Sequence, residues 1–369
     1  MATTCDALII GGGAIGLSIA RRLAREKLRV ALIDQGRLGQ ESSWAAAGML
    51  TLSFRAGTPE PFRRLSAASL AMHADLAAAL REETGIDVGH ARSGTLQLLF
   101  DAKDAAEAEE IASVRRADGL VTERLAARDV WEREPAVSKT VQGAHLHPEA
   151  AQVRNPWLGR ALAVAAQRAG AELREGTPAH ELIRRGDRII GVRAGTETIE
   201  AKTTVIAAGA WSGAFASALG TALPVQPARG QMLLLEAFPP LLRHLVHRGS
   251  DYIASRGDGK ILVGSTVEFV GFVKDNTAEA VHTLVRKGLQ MVPHLGTARF
   301  VRAWAGLRPH TPDGLPYLGP VPGREGVLLA TGHFRNGILL APVTAEIVAA
   351  LVLEKKLDFD LSPFRAGRG

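Results

Sequence analysis

Six residues near the amino terminus constrain this chain more than any others: Gly11-Gly-Gly-Ala-Ile-Gly16. They lie between an apolar run, Ala7 to Ile10, and a segment, Leu17 to Leu28, whose apolar residues recur at helical spacing. The run predicts a buried parallel strand and the segment a helix. A second apolar run, Val30-Ala-Leu-Ile, ends in Asp34, eighteen positions after Gly16. Strand, G-x-G-x-x-G turn, helix, strand and terminal acid within about thirty residues are the parts of a dinucleotide-binding βαβ unit. Gly11 permits the tight turn, Gly13 lets backbone approach a pyrophosphate, and Gly16 lets helix and strand pack closely. The helix N-terminus offers N–H groups and the positive end of its dipole to phosphates. Asp34 is placed to accept hydrogen bonds from ribose hydroxyls, which argues against NADP. NAD and FAD both remain open on these residues.

With 369 residues, the chain is long enough for one large α/β domain or two smaller ones. The single cysteine, Cys5, excludes internal disulfides and Cys-based metal clusters and fits a reducing cytoplasm. The first strand begins by about residue 5, which leaves no room for a signal peptide ahead of it. The apolar stretch Ile338 to Leu353 holds Pro342 and Glu346 and is too short to span a bilayer. The net charge of +6 raises nucleic acid as a partner, but the basic residues are scattered in pairs such as Arg21-Arg22 and Arg184-Arg185, with no aromatic interleaving. We therefore expect a soluble protein with no nucleic-acid or membrane partner.

Further along, Glu41 to Met49 is crowded with small residues, which lets backbone press against a flat or charged group. Long helical spacing covers Phe62 to Glu83, Thr95 to Phe100 reads as a strand, and 102–117 and 127–134 read as helices. His145, His147 and Glu149 have the look of a metal cluster, but their alternation predicts the solvated face of a strand instead. Asn155-Pro156 predicts a helix start, with Asn155 as N-cap and Pro156 at N1. Thr203 to Gly209 reads as a buried strand able to rejoin the first sheet. From Val225 the texture is antiparallel: strands at Val225 to Leu235, Asp251 to Ser255, Lys260 to Ser265 and Ala298 to Ala305, a hairpin signal at Asp258-Gly259, and one helix over 277–292. Gly326 to Thr331 is a last buried strand before a final helix reaching about Lys355. The expected fold class is α/β, a Rossmann-like domain with a mainly parallel sheet (1–85, 145–218 and 300–369) plus an antiparallel-sheet substrate domain (86–144 and 219–299).

Taken in order, several segments carry a resemblance. Beside the glycine turn and Asp34 stand Ser42-Ser-Trp-Ala-Ala-Ala-Gly-Met49, Val205-Ile-Ala-Ala-Gly-Ala-Trp211, Trp304-Ala-Gly-Leu-Arg-Pro309, Asp313-Gly-Leu-Pro316 and Gly332-His-Phe-Arg-Asn-Gly-Ile-Leu-Leu-Ala-Pro342. Together they resemble the FAD-dependent D-amino acid oxidase family over nearly the whole chain, most of all its glycine-oxidising branch linked to thiamine biosynthesis. The resemblance implies FAD rather than NAD. It also implies that Ala14, Ile15, Asp34, Gln35, Ser42 and Ser43 hold the adenosine side and the phosphates. Ala46, Ala47, Gly48 and Met49 would lie against the isoalloxazine, and Ala179 would offer backbone to the adenine. His333, Phe334, Arg335, Asn336, Gly337, Ile338 and Leu339 would wrap the pyrimidine edge. Tyr252, Arg308 and Arg335 fall where such oxidases bind a substrate carboxylate. Relatives with covalent flavin use a histidine in the small-residue loop or a late cysteine; this chain has Ala45 and only Cys5, so the FAD is expected to be noncovalent. Relatives often form tetramers, which makes a homo-oligomer an expectation.

The chemistry implied is hydride transfer from the amino acid Cα to flavin N5, giving an imine, then a 2-oxo acid, ammonia and, with oxygen, hydrogen peroxide. Such chemistry needs no nucleophile or carboxylate pair, and none is visible; it needs a fixed point on the substrate. The planar fork of Arg308 suits that task, because two hydrogen bonds to one carboxylate set both position and angle. Tyr252 adds a phenolic donor, Arg335 faces either substrate or flavin, and His333 is expected to be positioned by backbone rather than to act as acid or base. The expected substrate is glycine or a similarly small amino acid such as sarcosine or D-alanine. Three rival readings are a same-fold dehydrogenase that passes electrons to a quinone or carrier, an oxidase of a larger secondary amine, and a flavin-binding subunit without turnover.

Overall fold

The computed structural model describes residues 3–368. Two eight-stranded sheets organise it. At the centre of the first, Thr3–Ile10 pairs in parallel with Val30–Ile33 on one side and Glu197–Ile206 on the other. Glu172–Arg174 and Val327–Thr331 extend this parallel core outward. Ala7, Leu8 and Ile9 have no exposed surface, as an apolar run covered on both faces requires. One face lies under the helices Ala14–Arg25, Glu60–Thr84, Asn155–Arg168 and Gly337–Val352. The other is covered by the Glu181–Arg185 and Arg188–Ala194 ribbon and the turns after residue 209.

Gly337–Val352 contains Pro342, which has no N–H for the preceding turn. The long helix Glu60–Thr84 compensates: Ser69 Oγ (2.6 Å) and His73 Nε2 (3.0 Å) both bond the Leu339 carbonyl, and Val343 N–H donates to Ser69 Oγ at 3.4 Å. The first turn of the last helix is thereby fixed in direction, and that turn borders the cleft described below.

The second sheet runs Arg299–His310, Gln226–Glu236, Lys260–Gly264, Asp251–Ser255, Leu245–Arg248, Thr95–Leu99, Gly143–His147, Glu123–Ala126. All neighbours are antiparallel except Leu245–Arg248 with Thr95–Leu99. Alternation along each strand separates two faces. Leu96, Leu98, Val246, Ile253, Val263 and Leu233 pack beneath the helix Ala278–Met291. On the opposite face His145, Gln97, His247, Tyr252, Gly264, Met232 and Trp304 stand in one lateral row.

This corrects the expected exposure of His145 and His147. They do occupy a strand, but are 5% and 1% exposed, because their face is turned inward rather than to water. Among the described residues no group of three or more His, Cys, Asp or Glu is arranged to hold a metal ion, and no helix is long and apolar enough to cross a membrane. Division into two units along the two sheets is our proposal. Gly143–His147 and Arg299–His310 both belong to the second sheet, so boundaries drawn at 145 and 300 move beyond these strands.

Burial pushes His73 down to about 4, His147 to about 2, His247 to about 4 and His333 to about 3, so all four fold neutral. An unfolded histidine protonates near pH 6.5. Between the two values the unfolded chain holds more protons, so this contribution to stability is complete above about pH 6.5 and is lost on acidification toward the folded values. Each such histidine steepens the loss by up to about 1.4 kcal/mol per pH unit. The unfolding midpoint should therefore fall sharply from pH 6.5 to 4.5, and His147→Leu should flatten that slope. A midpoint constant across this range would contradict the buried neutral state.

Candidate active site

The residues of the glycine turn sit where the first sheet opens toward the second. Gly11 has φ +109°, and a Cβ there would lie 2.4 Å from the Ala207 carbonyl oxygen. A Cβ on Gly16 would lie 1.9 Å from the Gly11 oxygen, so the close strand–helix approach read from the sequence is present. The Asp34 carboxylate accepts from Gly12 N–H (2.6 Å) and Gly36 N–H (2.7 Å), which fixes its direction while leaving lone pairs toward the cleft. Ser43 Oγ accepts from Ala14 N–H at 2.8 Å, tying the small-residue segment to the helix start.

Asn155 does not cap its helix; residue 154 holds that position. Its amide instead donates to the carbonyls of Ser43 (2.6 Å) and Trp44 (2.7 Å). Trp304 Nε1 donates to the Ala45 carbonyl (3.0 Å) and Arg256 to that of Ala47. Three distant side chains thus pin a segment too rich in alanine to fix itself.

Two cavities share Gly13, Ser42, Ser43, Ala207 and Gly209 and so form one elongated cleft, with about 760 and 790 Å³ of empty space. The first is walled by Gly13, Ala14, Ile15, Ser42, Ser43, Ala46, Arg308, His333, Phe334, Arg335, Gly337 and Ile338, among others. The second is walled by Gly11, Asp34, Gln35, Ala179 and Trp211. Gly16, Ala47, Gly48, Met49, Asn336 and Leu339 line neither cavity. Gly16 lies beneath the turn, Met49 pairs with Gln152, Asn336 precedes the last helix, and the Leu339 carbonyl is turned to Ser69 and His73. Ala207, Gly209 and Trp211 line the cleft without having been singled out as contacts, although the segment Val205 to Trp211 marked the place.

Arg308 stands on Arg299–His310, the edge strand of the second sheet. Its Nη1 donates to the Thr266 carbonyl (3.0 Å) and its Nη2 to Ser265 Oγ (2.7 Å). Gly230 and Gly264 make room for the site: a Cβ on Gly230 would lie 2.0 Å from Arg308 Nη1, and one on Gly264 would lie 2.5 Å from the Tyr252 hydroxyl. Glycines within or at the end of a strand, as here, were the available sequence signal for a close approach. Tyr252 lines neither cavity but stands beside Arg308, its hydroxyl 3.6 Å from Met232 Sδ. Burial lowers the Arg308 guanidinium from its ordinary value, the nearby Tyr252 opposes this, and Arg335 adds to it. Arg335 is lowered by burial as well, with Tyr252 again opposing. The three substrate-site expectations are therefore brought together. The two guanidinium groups act on one another across the cleft, and both remain charged at neutral pH. The His333 ring bonds Thr344 Oγ1 at 3.1 Å inside the last helix. An edge-to-face ladder, Phe269 to His310 (4.9 Å) to Phe334 (4.9 Å), ends under Arg335.

A glycine-walled cleft bordered by two helix starts, with a carboxylate at one end and guanidinium groups at the other, fits an elongated anionic dinucleotide. Comparison with known proteins names it. Residues 6–351 match the family model described as FAD dependent oxidoreductase (DAO). The chain belongs to this family. The glycine oxidase of Geobacillus kaustophilus (strain HTA426) is 37% identical over 368 residues, covering 98% of this chain and 97% of that protein. The crystal structure of glycine oxidase from Geobacillus kaustophilus matches with a TM-score of 0.95 at 36% identity, covering 100% of both chains. The hydrogen cyanide synthase subunit HcnC of Pseudomonas aeruginosa is 34% identical, covering 100% of this chain and 97% of that protein. As a DAO-family FAD-dependent oxidoreductase, the chain takes FAD rather than NAD, and the α/β fold expected from the sequence is the one the family has.

Proposed function

We propose that this enzyme oxidises glycine or a similarly small amino acid, such as sarcosine or a small D-amino acid, with noncovalent FAD and oxygen. The product would be an imine able to feed thiazole formation. The observation that carries this reading is Arg308, held by Ser265 and Thr266 beside Tyr252 at the cleft with N–H groups to spare. When bound, the cofactor supplies the hydride acceptor. Arg308 binds the substrate carboxylate through its fork, Tyr252 donates to the same group, and together they set the angle at which Cα–H is presented. Arg335 supplies positive charge where negative charge accumulates on reduction. Asp34 and Gln35 would hold the ribose, and Ser42, Ser43 and the helix start at Ala14 would hold the phosphates. Ala46 would support the ring, with Ala47 to Met49 behind it, and His333, Phe334, Arg335, Gly337 and Ile338 would close around its edge. Noncovalent attachment is supported by the lone thiol: Cys5 is buried in the first sheet and pushed up to about 11 by burial, away from the cleft walls.

Anaerobic addition of glycine, sarcosine and D-alanine should each test the assignment, with loss of the flavin absorbance by at least one of them. Failure of all three would sink the small-substrate reading in favour of a larger secondary amine. The similarity to a hydrogen cyanide synthase subunit supports working alongside partner chains, and the rival on chemistry is a same-fold dehydrogenase that passes electrons to an acceptor other than oxygen. Oxygen uptake measured against dye reduction separates the two.

A further inference from the structure

Behind Arg308 lies an ion pair that the reading above does not use. Arg229 and Gln231 sit on the strand next to that of Arg308 and are 6% and 0% exposed. Arg229 Nη2 donates to Glu268, Gln231 Nε2 donates to Glu268 Oε1 at 2.9 Å, and Thr266 Oγ1 donates to the same oxygen at 2.5 Å. The main chains of 229 and 268 bond in both directions, at 2.8 and 2.9 Å. Gln231 N–H closes the circuit by donating to Thr266 Oγ1 at 2.9 Å.

A half-buried ion pair is weak support for stability, since removing two charges from water offsets much of their attraction. Leu233 and Leu235 show that the same strand is readily built from apolar residues. What the network does fix is direction. Thr266 is held by its hydroxyl from one side and offers its carbonyl to Arg308 Nη1 on the other; Ser265, one residue earlier, takes Nη2. A guanidinium has five donors in one rigid plane, so fixing two of them fixes where the others point. Burial by itself would raise the Glu268 carboxyl, but hydrogen bonds from Thr266, Arg229 and Gln231 outweigh it and hold it below the usual carboxylate range, so the anchor is ionised at neutral pH.

We propose that Glu268, Arg229, Gln231 and Thr266 form a positioning network that aims Arg308 at the substrate carboxylate through Thr266 and Ser265. The proposal rests on Arg308 being the carboxylate ligand. None of its members lines the cleft. Their loss should weaken carboxylate binding without slowing the reaction of substrate once bound.

The test uses the holoenzyme with glycine as substrate and acetate as a carboxylate probe read by perturbation of the flavin spectrum. Thr266→Val removes the hydroxyl but keeps shape and backbone; Glu268→Gln removes the charge. Each should raise KM for glycine and Kd for acetate about tenfold, the size of one lost hydrogen bond to a charged group. The limiting rate of flavin reduction should stay within about twofold, with FAD affinity unchanged. Unchanged KM and acetate binding would overturn the network. So would parallel losses in thermal stability, FAD affinity and acetate affinity, which mark a merely structural role. Should Glu268→Gln not fold, Thr266→Val decides. If the wild-type flavin is not reduced by any small amino acid, the function reading fails separately; acetate binding that is tighter to wild type than to the variants still upholds the network, and acetate bound equally by all refutes it.

Discussion

Arg308→Ala should raise the apparent KM for a small amino acid by about 10²- to 10³-fold, while the purified protein stays yellow. The magnitude follows from removing one member of a buried, hydrogen-bonded charge pair, roughly 2–5 kcal/mol at about 1.4 kcal/mol per factor of ten. The loss lands on binding because Arg308 is bonded to Ser265 and Thr266 and stands beside Tyr252, away from the end of the cleft where Asp34 and Gln35 lie. Arg308→Lys should recover only a small part, since an ammonium keeps the charge but not the two-pronged geometry. Steady-state kinetics with FAD content measured on the same samples distinguishes the outcomes. Unchanged KM with full flavin would remove Arg308 from the substrate site.

The parallel core was legible because it is local. Ala7 to Ile10, the glycine turn and Val30 to Asp34 carry their own periodicity, and a continuous apolar run has one stable place, covered on both faces. The antiparallel strands of the second sheet were legible for the same reason, apart from the short Leu245–Arg248 and the exposed Glu123–Ala126. Those two, the short Tyr317–Pro320 and the two-residue pair Met49–Leu50 with Ala151–Gln152 were missed, because all of them lack a distinct pattern. What failed was whatever depends on partners far along the chain. His145 and His147 alternate like a solvated face, and only the packing of that face toward the inside of the molecule shows it to be buried. Asn155 has the residue type of a cap, yet it lies one position inside the helix and its amide goes to the carbonyls of Ser43 and Trp44. Ser265, Thr266 and Glu268 carry no motif, because their relation to Arg308 exists only once Lys260–Gly264 and Arg299–His310 have both paired with Gln226–Glu236. Of the site residues named from the resemblance, Arg308, Tyr252 and Arg335 stand together, whereas Ala47, Gly48, Met49, Asn336 and Leu339 line neither cavity. The room for Arg308 and Tyr252 is written in glycines 230 and 264, which carry no side chain there.

Gly16→Ala should cost the protein most of its cofactor, lowering FAD affinity by at least about a hundredfold, equivalent to roughly 3 kcal/mol. A single methyl has this effect because its closest clash is with main chain: the new Cβ would lie 1.9 Å from the Gly11 oxygen and 3.1 Å from the Gly11 carbonyl carbon, with the buried Ile9 Cγ2 at 3.3 Å. Neither can yield locally. The Gly11 N–H is bonded to the Ile33 carbonyl at 2.9 Å, and Ile9 is fully buried in the central strand. The helix Ala14–Arg25 must therefore lift, and its first turn carries the N–H groups and dipole assigned to the phosphates. Stability should fall as well, by about 1–3 kcal/mol for overpacking a close contact. Gly257→Ala serves as the control, since a Cβ there meets nothing within 4 Å and its backbone is not left-handed; it should retain full flavin and an unchanged unfolding midpoint. Absorbance of the purified proteins and a flavin-fluorescence titration of the apoproteins give the comparison directly. A Gly16→Ala protein that binds FAD as tightly as Gly257→Ala would mean that the glycine turn does not grip the phosphates, and the placement of the cofactor along this cleft would have to be abandoned.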